Sequence, residues 1–217
     1  MKKVHSVLLL FILFSFSSAW ADGSKNTNSW YGKLAAGYVI QIEEYDEVNA
    51  GQTAWEFDNG YNGLVSLGRE FGSWALEAEI SYRKLDADKR RGKISGNLNP
   101  LGGDQTQFSG MFNAYYILMP ETDISPYFGV GAGATQISWN NVNRIGITPS
   151  GIDDSEVVFT YQLIAGVSFD MSERFSMDLD YRYFRPGAPE FTSVTGSVAK
   201  FEDQHLHIIS AGFKIKF

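Results

Sequence analysis

Residues 74–83, WALEAEISYR, alternate between an apolar row and a polar row that only Ala75 interrupts. Trp74, Leu76, Ala78, Ile80 and Tyr82 fall on one side, and Glu77, Glu79, Ser81 and Arg83 fall on the other. A period of two separates these sets only in an extended strand; a helix would mix them. The stretch FSMDLDYRY repeats the pattern, with Phe175, Met177, Leu179, Tyr181 and Tyr183 opposite Ser176, Asp178, Asp180 and Arg182. In VVFTYQLIAGVSF, Val157, Phe159, Tyr161, Leu163, Ala165, Val167 and Phe169 oppose Thr160, Gln162, Gly166 and Ser168. Such a chain must build sheet with two chemically different faces.

Read between turn signals, the alternation predicts eight strands, at 29–44, 57–71, 74–85, 106–118, 124–139, 156–169, 175–185 and 201–217. Short turns fall at Gly72-Ser73, 119–123 and 170–174, and long loops at 45–56, 86–105, 140–155 and 186–200. Short and long connections in strict alternation describe an up-and-down meander. An even strand number puts both termini on the short-turn side. The expected fold is therefore all-β, an eight-stranded antiparallel up-and-down transmembrane β-barrel occupying residues 22–217.

Chemistry decides which face points inward. An eight-stranded barrel has an interior just wide enough for side chains, and the bulky aromatic rows would overfill it. The polar rows carry a near-balanced set: Lys33, Arg83, Arg182 and Lys214 with Glu70, Glu77, Glu79, Asp178 and Asp180. Turned inward, these charges can pair, as buried charges must. Turned outward, the apolar rows form a lipid-facing belt. Aromatics recur at both ends of a row, as with Trp74 and Tyr82, Phe175 and Tyr183, and Phe159 and Phe169, which suits girdles at two membrane interfaces. A mean hydropathy of −0.17 beside 15% aromatics fits this interleaving, and beyond the first 21 residues no apolar run approaches the roughly 18 of a membrane helix.

The N-terminus reads as a secretory signal. Lys2 and Lys3 precede the apolar run Val7–Phe16, and Ala19-Trp20-Ala21 forms an A-x-A cleavage site, so residues 1–21 are expected to be removed. That takes away two lysines and no acid, deepening the net charge from −7 to −9. A charge of this sign argues against a nucleic-acid partner. The chain has no cysteine, hence no disulfide and no thiolate site.

The last residues, SAGFKIKF, alternate to the final Phe217. They resemble the C-terminal assembly signal of bacterial outer-membrane barrels in Ser210, Gly212, Ile215 and Phe217. The whole of residues 22–217, with segments such as ISPYFGVGAGA and MDLDYRYF, resembles the eight-stranded opacity-protein-like family of surface antigens. That resemblance implies an outer-membrane location, contact with outer-membrane lipid and lipopolysaccharide, assembly by the barrel-assembly machinery, four long extracellular loops and three short periplasmic turns. It also implies a role as adhesin or surface antigen, exercised on a host or surface ligand.

Other chemistries are weaker. His205 and His207 share a strand face, but the sequence places no carboxylate beside them, and a rim position accounts for them without a metal. In HLHIIS, Ser210 lies three residues from His207 and on the opposite face, which removes the His-x-Ser arrangement of barrel-type lipid hydrolases. A secreted lipocalin is suggested by NSWYGKL, yet Asn28 stands where that family carries glycine. Asp153, Asp154 and Glu156 are too few and too adjacent for a calcium site. The second long loop clusters Lys89, Arg90, Arg91 and Lys93 on an acidic protein. This patch suits lipopolysaccharide phosphates or an acidic polysaccharide, or is simply a solvated loop tip. The expectation is a non-enzymatic surface protein without cofactor or metal, acting through its loops; the alternative is a narrow passive pore through a charged lumen.

Overall fold

Eight long strands close on themselves. In the computed structural model, which describes residues 28–41, 45–46, 53–57, 59–92, 98–144, 152–188, 190–192, 198–200 and 204–217, these are β1 (Trp30–Gln41), β4 (Gly60–Phe71), β5 (Trp74–Gly92), β6 (Leu98–Ile117), β7 (Ile124–Arg144), β8 (Ile152–Asp170), β9 (Phe175–Pro186) and β12 (Leu206–Lys216). Four short strands, β2 (Tyr45–Asp46), β3 (Thr53–Phe57), β10 (Glu190–Thr192) and β11 (Val198–Lys200), lie in the long connections. Each long strand pairs antiparallel with its neighbour along the chain, and β1 pairs with β12 to shut the ring. Closure removes both sheet edges, so no membrane-level strand is left with unpaired backbone groups.

The register fixes the barrel's shape. One circuit of opposed residues runs Tyr31, Gly68, Glu77, Asn113, Gly131, Gln162, Phe184, Leu206 and back to β1 at Gln41, ten residues beyond its start. A shear of ten over eight strands tilts them by about 40° from the axis. At that tilt Trp74 and Tyr82 lie about 20 Å apart along the axis, the scale of an apolar band between girdles.

Burial follows the alternation. The apolar rows are outside, with Leu34 67%, Phe112 78% and Phe159 68% exposed, while the polar rows are buried. Aromatics ring the outer face near the short turns (Trp30, Phe71, Trp74, Tyr116, Phe175, Phe217) and again toward the loops (Tyr38, Tyr61, Tyr82, Phe108, Tyr181). The tightest turn uses Gly72 at φ 64°, a left-handed conformation in which a side chain is strained. The two longer turns are held by side chains: Ser125 Oγ donates to the Met119 carbonyl (2.7 Å), and the Phe175 amide donates to Ser172 Oγ (3.1 Å).

Two expectations need correction. The stretch expected as the loop 86–105 is largely strand, because β5 continues to Gly92 and β6 begins at Leu98, with a register shift between Asp86 and Lys89. Likewise β7 runs on to Arg144 and β8 starts at Ile152. Strands that continue beyond the membrane no longer separate lipid from lumen, so their sequence loses its period-two signal while backbone pairing persists. Four adjacent strands, β5 to β8, thus have 19–21 residues, against 11–12 in β9, β12, β1 and β4.

Candidate functional site

The interior divides along its axis. The half nearer the short turns holds a charge network built from alternate positions of six strands. Lys33 on β1 reaches Asp178 (3.0 Å) and Asp180 (3.1 Å) of β9. Arg182, two residues along β9, bonds Asp180 through Nε (2.8 Å) and Glu79 of β5 through Nη1 (2.6 Å). Lys214 lies 3.3 Å from Glu70 and 3.6 Å from Asp178; Lys216 lies 3.2 Å from Glu70 and 3.5 Å from Asp170. These groups are almost wholly withdrawn from solvent, so each charge depends on its partners rather than on water.

Tyrosines complete the network. Glu77 accepts hydrogen bonds from Tyr31 (3.0 Å), Tyr115 (2.8 Å) and Asn113 (3.1 Å), and Asn113 also donates to Glu79 (2.9 Å). Tyr127 donates to Asp180 at 3.3 Å. Each ring lies over a glycine opposite it on the next strand: Tyr31 over Gly68, Tyr115 over Gly129 and Tyr127 over Gly166. A Cβ at any of these glycines would overlap the ring. The glycines therefore let three phenols enter an interior that has no spare width.

Arg83 marks the boundary with the loop half. Its guanidinium donates to Ser109 (2.8 Å) and Ser81 (3.0 Å) and stacks 3.6 Å from the Phe184 ring centroid. Beyond it, Val39, Leu85, Ile137, Phe184, Leu206 and Ile208 are completely buried, beside a closed triad of Gln105, Gln107 and Gln204 joined at 2.7–3.0 Å. The interior is thus not polar throughout, as the alternation led us to expect. Near the loops both faces of a strand can be apolar, one toward lipid and one into a small core, and alternation no longer tells them apart.

Several residues singled out in the sequence come together here: Lys33, Glu70, Glu77, Glu79, Arg83, Asp178, Asp180, Arg182 and Lys214 all point inward. Sequence reasoning passed over Lys216, Tyr31, Tyr115, Tyr127 and Asn113. Lys216 was legible from its place in the same row as Lys214, whereas nothing local distinguishes an inward tyrosine from a girdle tyrosine. In the C-terminal motif, Ser210 and Gly212 face the lumen, Ile215 and Phe217 face outward, and the Phe217 amide donates to the Trp30 carbonyl (2.9 Å). His205 and His207 sit on the outer face, bonded to Tyr183 and Tyr181 at 2.5 Å. Lys89, Arg90 and Arg91 lie on the far end of β5, where the backbone pairs with β3 and β6; Lys93 and the expected signal segment fall outside the described residues.

A closed antiparallel barrel with an aromatic-girdled apolar exterior and a charged, tyrosine-braced interior defines an outer-membrane β-barrel. The chain belongs to that class: the model of the outer membrane protein beta-barrel domain family matches residues 6–217, and its place is the outer membrane. An uncharacterized protein of Brucella abortus (strain 2308) is 25% identical over 58% of this chain and 55% of its own, so the chain spans about half the length of the curated relatives it matches. Among solved structures, OprG of Pseudomonas aeruginosa aligns with a TM-score of 0.62 at 14% identity, covering 90% of this chain and 98% of that one. Neisserial surface protein A aligns with a TM-score of 0.57 at 18% identity, covering 87% and 97%. These two likenesses establish the shared fold.

Proposed function

We propose that the protein works at the loop end of the barrel, as a surface protein of adhesin or surface-antigen type, and that its lumen is a structural plug. The observation that carries this reading is the layered interior. An ion entering from the short-turn end meets paired charges and then a closed layer in which Val39, Leu85, Ile137, Phe184 and Leu206 are 0% exposed and Gln105, Gln107 and Gln204 are bonded to one another. Apolar constrictions expel water and block ions. With the interior closed, binding residues belong on the loops that the rigid barrel holds out. The basic cluster Lys89, Arg90, Arg91 and Lys93 suits phosphate or sulfate groups of lipopolysaccharide or an acidic polysaccharide, held by salt-sensitive contacts.

This assignment takes the long loops as extracellular, the short turns as periplasmic and residues 1–21 as a cleaved signal. It requires neither a catalytic group nor a cofactor. Planar-bilayer recording of the inserted barrel, beside Glu77→Ala/Glu79→Ala, tests the plug: wild type should be silent. Steps whose size changes with the two carboxylates would assign the function to a narrow pore. Binding to heparin-type polysaccharide and to lipopolysaccharide, compared between wild type and a Lys89/Arg90/Arg91/Lys93→Ala variant, tests the loop patch. Equal binding by both proteins would remove it.

A further inference from the structure

The charged half of the lumen is not neutral. Its described carboxylates are Glu70, Glu77, Glu79, Asp170, Asp178 and Asp180, and its cations are Lys33, Arg182, Lys214 and Lys216. Arg83, at the far boundary, is bonded to serines and stacked on Phe184, and counting it still leaves one carboxylate in excess. The excess falls on Glu77, whose described partners are two phenols and an amide, none of them charged. A cavity of about 30 Å³ adjoins this group at the short-turn mouth, lined by Glu70, Glu77, Asp170 and Asp178 together with Lys33, Lys214 and Lys216. Two of its lining oxygens have no hydrogen-bond partner: Ser168 Oγ and Asp178 Oδ1, on directly opposed residues that are 6% and 2% exposed. Lys214 lies 3.6 Å from that carboxylate oxygen, too far for a hydrogen bond.

We propose that this cavity is a binding site for one small monovalent cation, an alkali ion or ammonium, which completes the charge balance of the lumen. A buried charge has to be matched by a counter-charge, and the lysines here are already shared among Glu70, Asp170, Asp178 and Asp180. The volume suits a body the size of one or two waters. A hard cation takes carboxylate and hydroxyl oxygens, which Asp178 and Ser168 offer side by side, and the rings of Tyr31, Tyr115 and Tyr127 in the wall attract positive charge. A divalent ion suits the site less: the excess is a single charge, and among the described residues no three carboxylate or imidazole groups converge to hold a metal ion. An anion would deepen the excess. With the loop half closed, the ion enters from the short-turn end, past Gly72 and Pro120.

The test is urea unfolding of the barrel in phospholipid vesicles, with sodium or potassium chloride replacing choline chloride at constant ionic strength. Choline is too large for the cavity, so screening stays fixed while the site loads. Wild type should gain stability as alkali ion is added, logarithmically once the site fills. Ser168→Ala, which removes one oxygen and no charge, should need about tenfold more ion for the same gain. Glu77→Gln, which keeps an acceptor for the phenols and removes the excess charge, should lose the dependence. Equal stability of wild type in choline, sodium and potassium would overturn the assignment, as would a Glu77→Gln barrel that responds like wild type. Should either variant fail to fold, thallium(I) soaked into crystals of the unmodified protein decides: an anomalous peak beside Ser168 and Asp178 supports the site, and its absence refutes it.

Discussion

Replacing Arg182 with methionine would remove the hub of the buried network and leave its neighbours stranded. The side chain is 1% exposed and joins Glu79 on one side to Asp180 on the other, at 2.6 and 2.8 Å. Without it Glu79 keeps amide donors, from Asn113 at 2.9 Å and Gln162 at 3.5 Å, and Asp180 keeps Lys33 at 3.1 Å. Removing one partner of a buried ion pair costs about 3–5 kcal/mol, because a charge stays behind without compensation. Replacing the whole unit with neutral groups of similar shape is often nearly neutral. Arg182→Met should therefore lose about 3–5 kcal/mol, and Arg182→Met/Glu79→Gln/Asp180→Asn should recover most of it. Reversible urea unfolding in lipid vesicles, followed by tryptophan fluorescence and the gel mobility of the folded barrel, measures both. A single variant within about 1 kcal/mol of wild type would refute the reasoning, since it would mean that water already solvates these charges as it does surface pairs.

Further outcomes follow from other parts of the wall. Gly166→Val should cost about 1–3 kcal/mol in the same assay, because a Cβ there comes within 2.6 Å of the Tyr127 ring and 2.8 Å of Asp180 Cβ; Gly110→Ala, whose Cβ meets nothing within 4 Å, should be tolerated. Deleting Phe217 removes an outer-face aromatic and the backbone bond to Trp30. If the C-terminal motif guides assembly, the truncated barrel should refold normally from urea yet be depleted in outer-membrane fractions by immunoblot. Mass spectrometry of the mature N-terminus should find Asp22 first.

The barrel was legible in the sequence because its physical cause is local. Glu77 and Glu79 between Leu76, Ala78 and Ile80 require two faces in unlike surroundings, and the alternation states that residue by residue; that the polar face turns inward followed from the width of an eight-stranded interior and the balance of its charges. The strand count and the placement of short turns followed from the same signal. The far ends of β5 and β6 were hidden, since from Asp86 to Asp104 the sequence carries no period-two pattern although the two backbones stay paired. What only the tertiary structure decided are the partnerships around the ring. Lys33 meets Asp178 and Asp180, 145 and 147 positions away in the chain, because a shear of ten brings β9 and β12 to a particular height beside β1. Whether Tyr115 entered the lumen or joined a girdle, and whether Leu206 faced lipid or an apolar core, likewise depended on register. Alternation sorts side chains into two faces, but closure and stagger determine which of them meet.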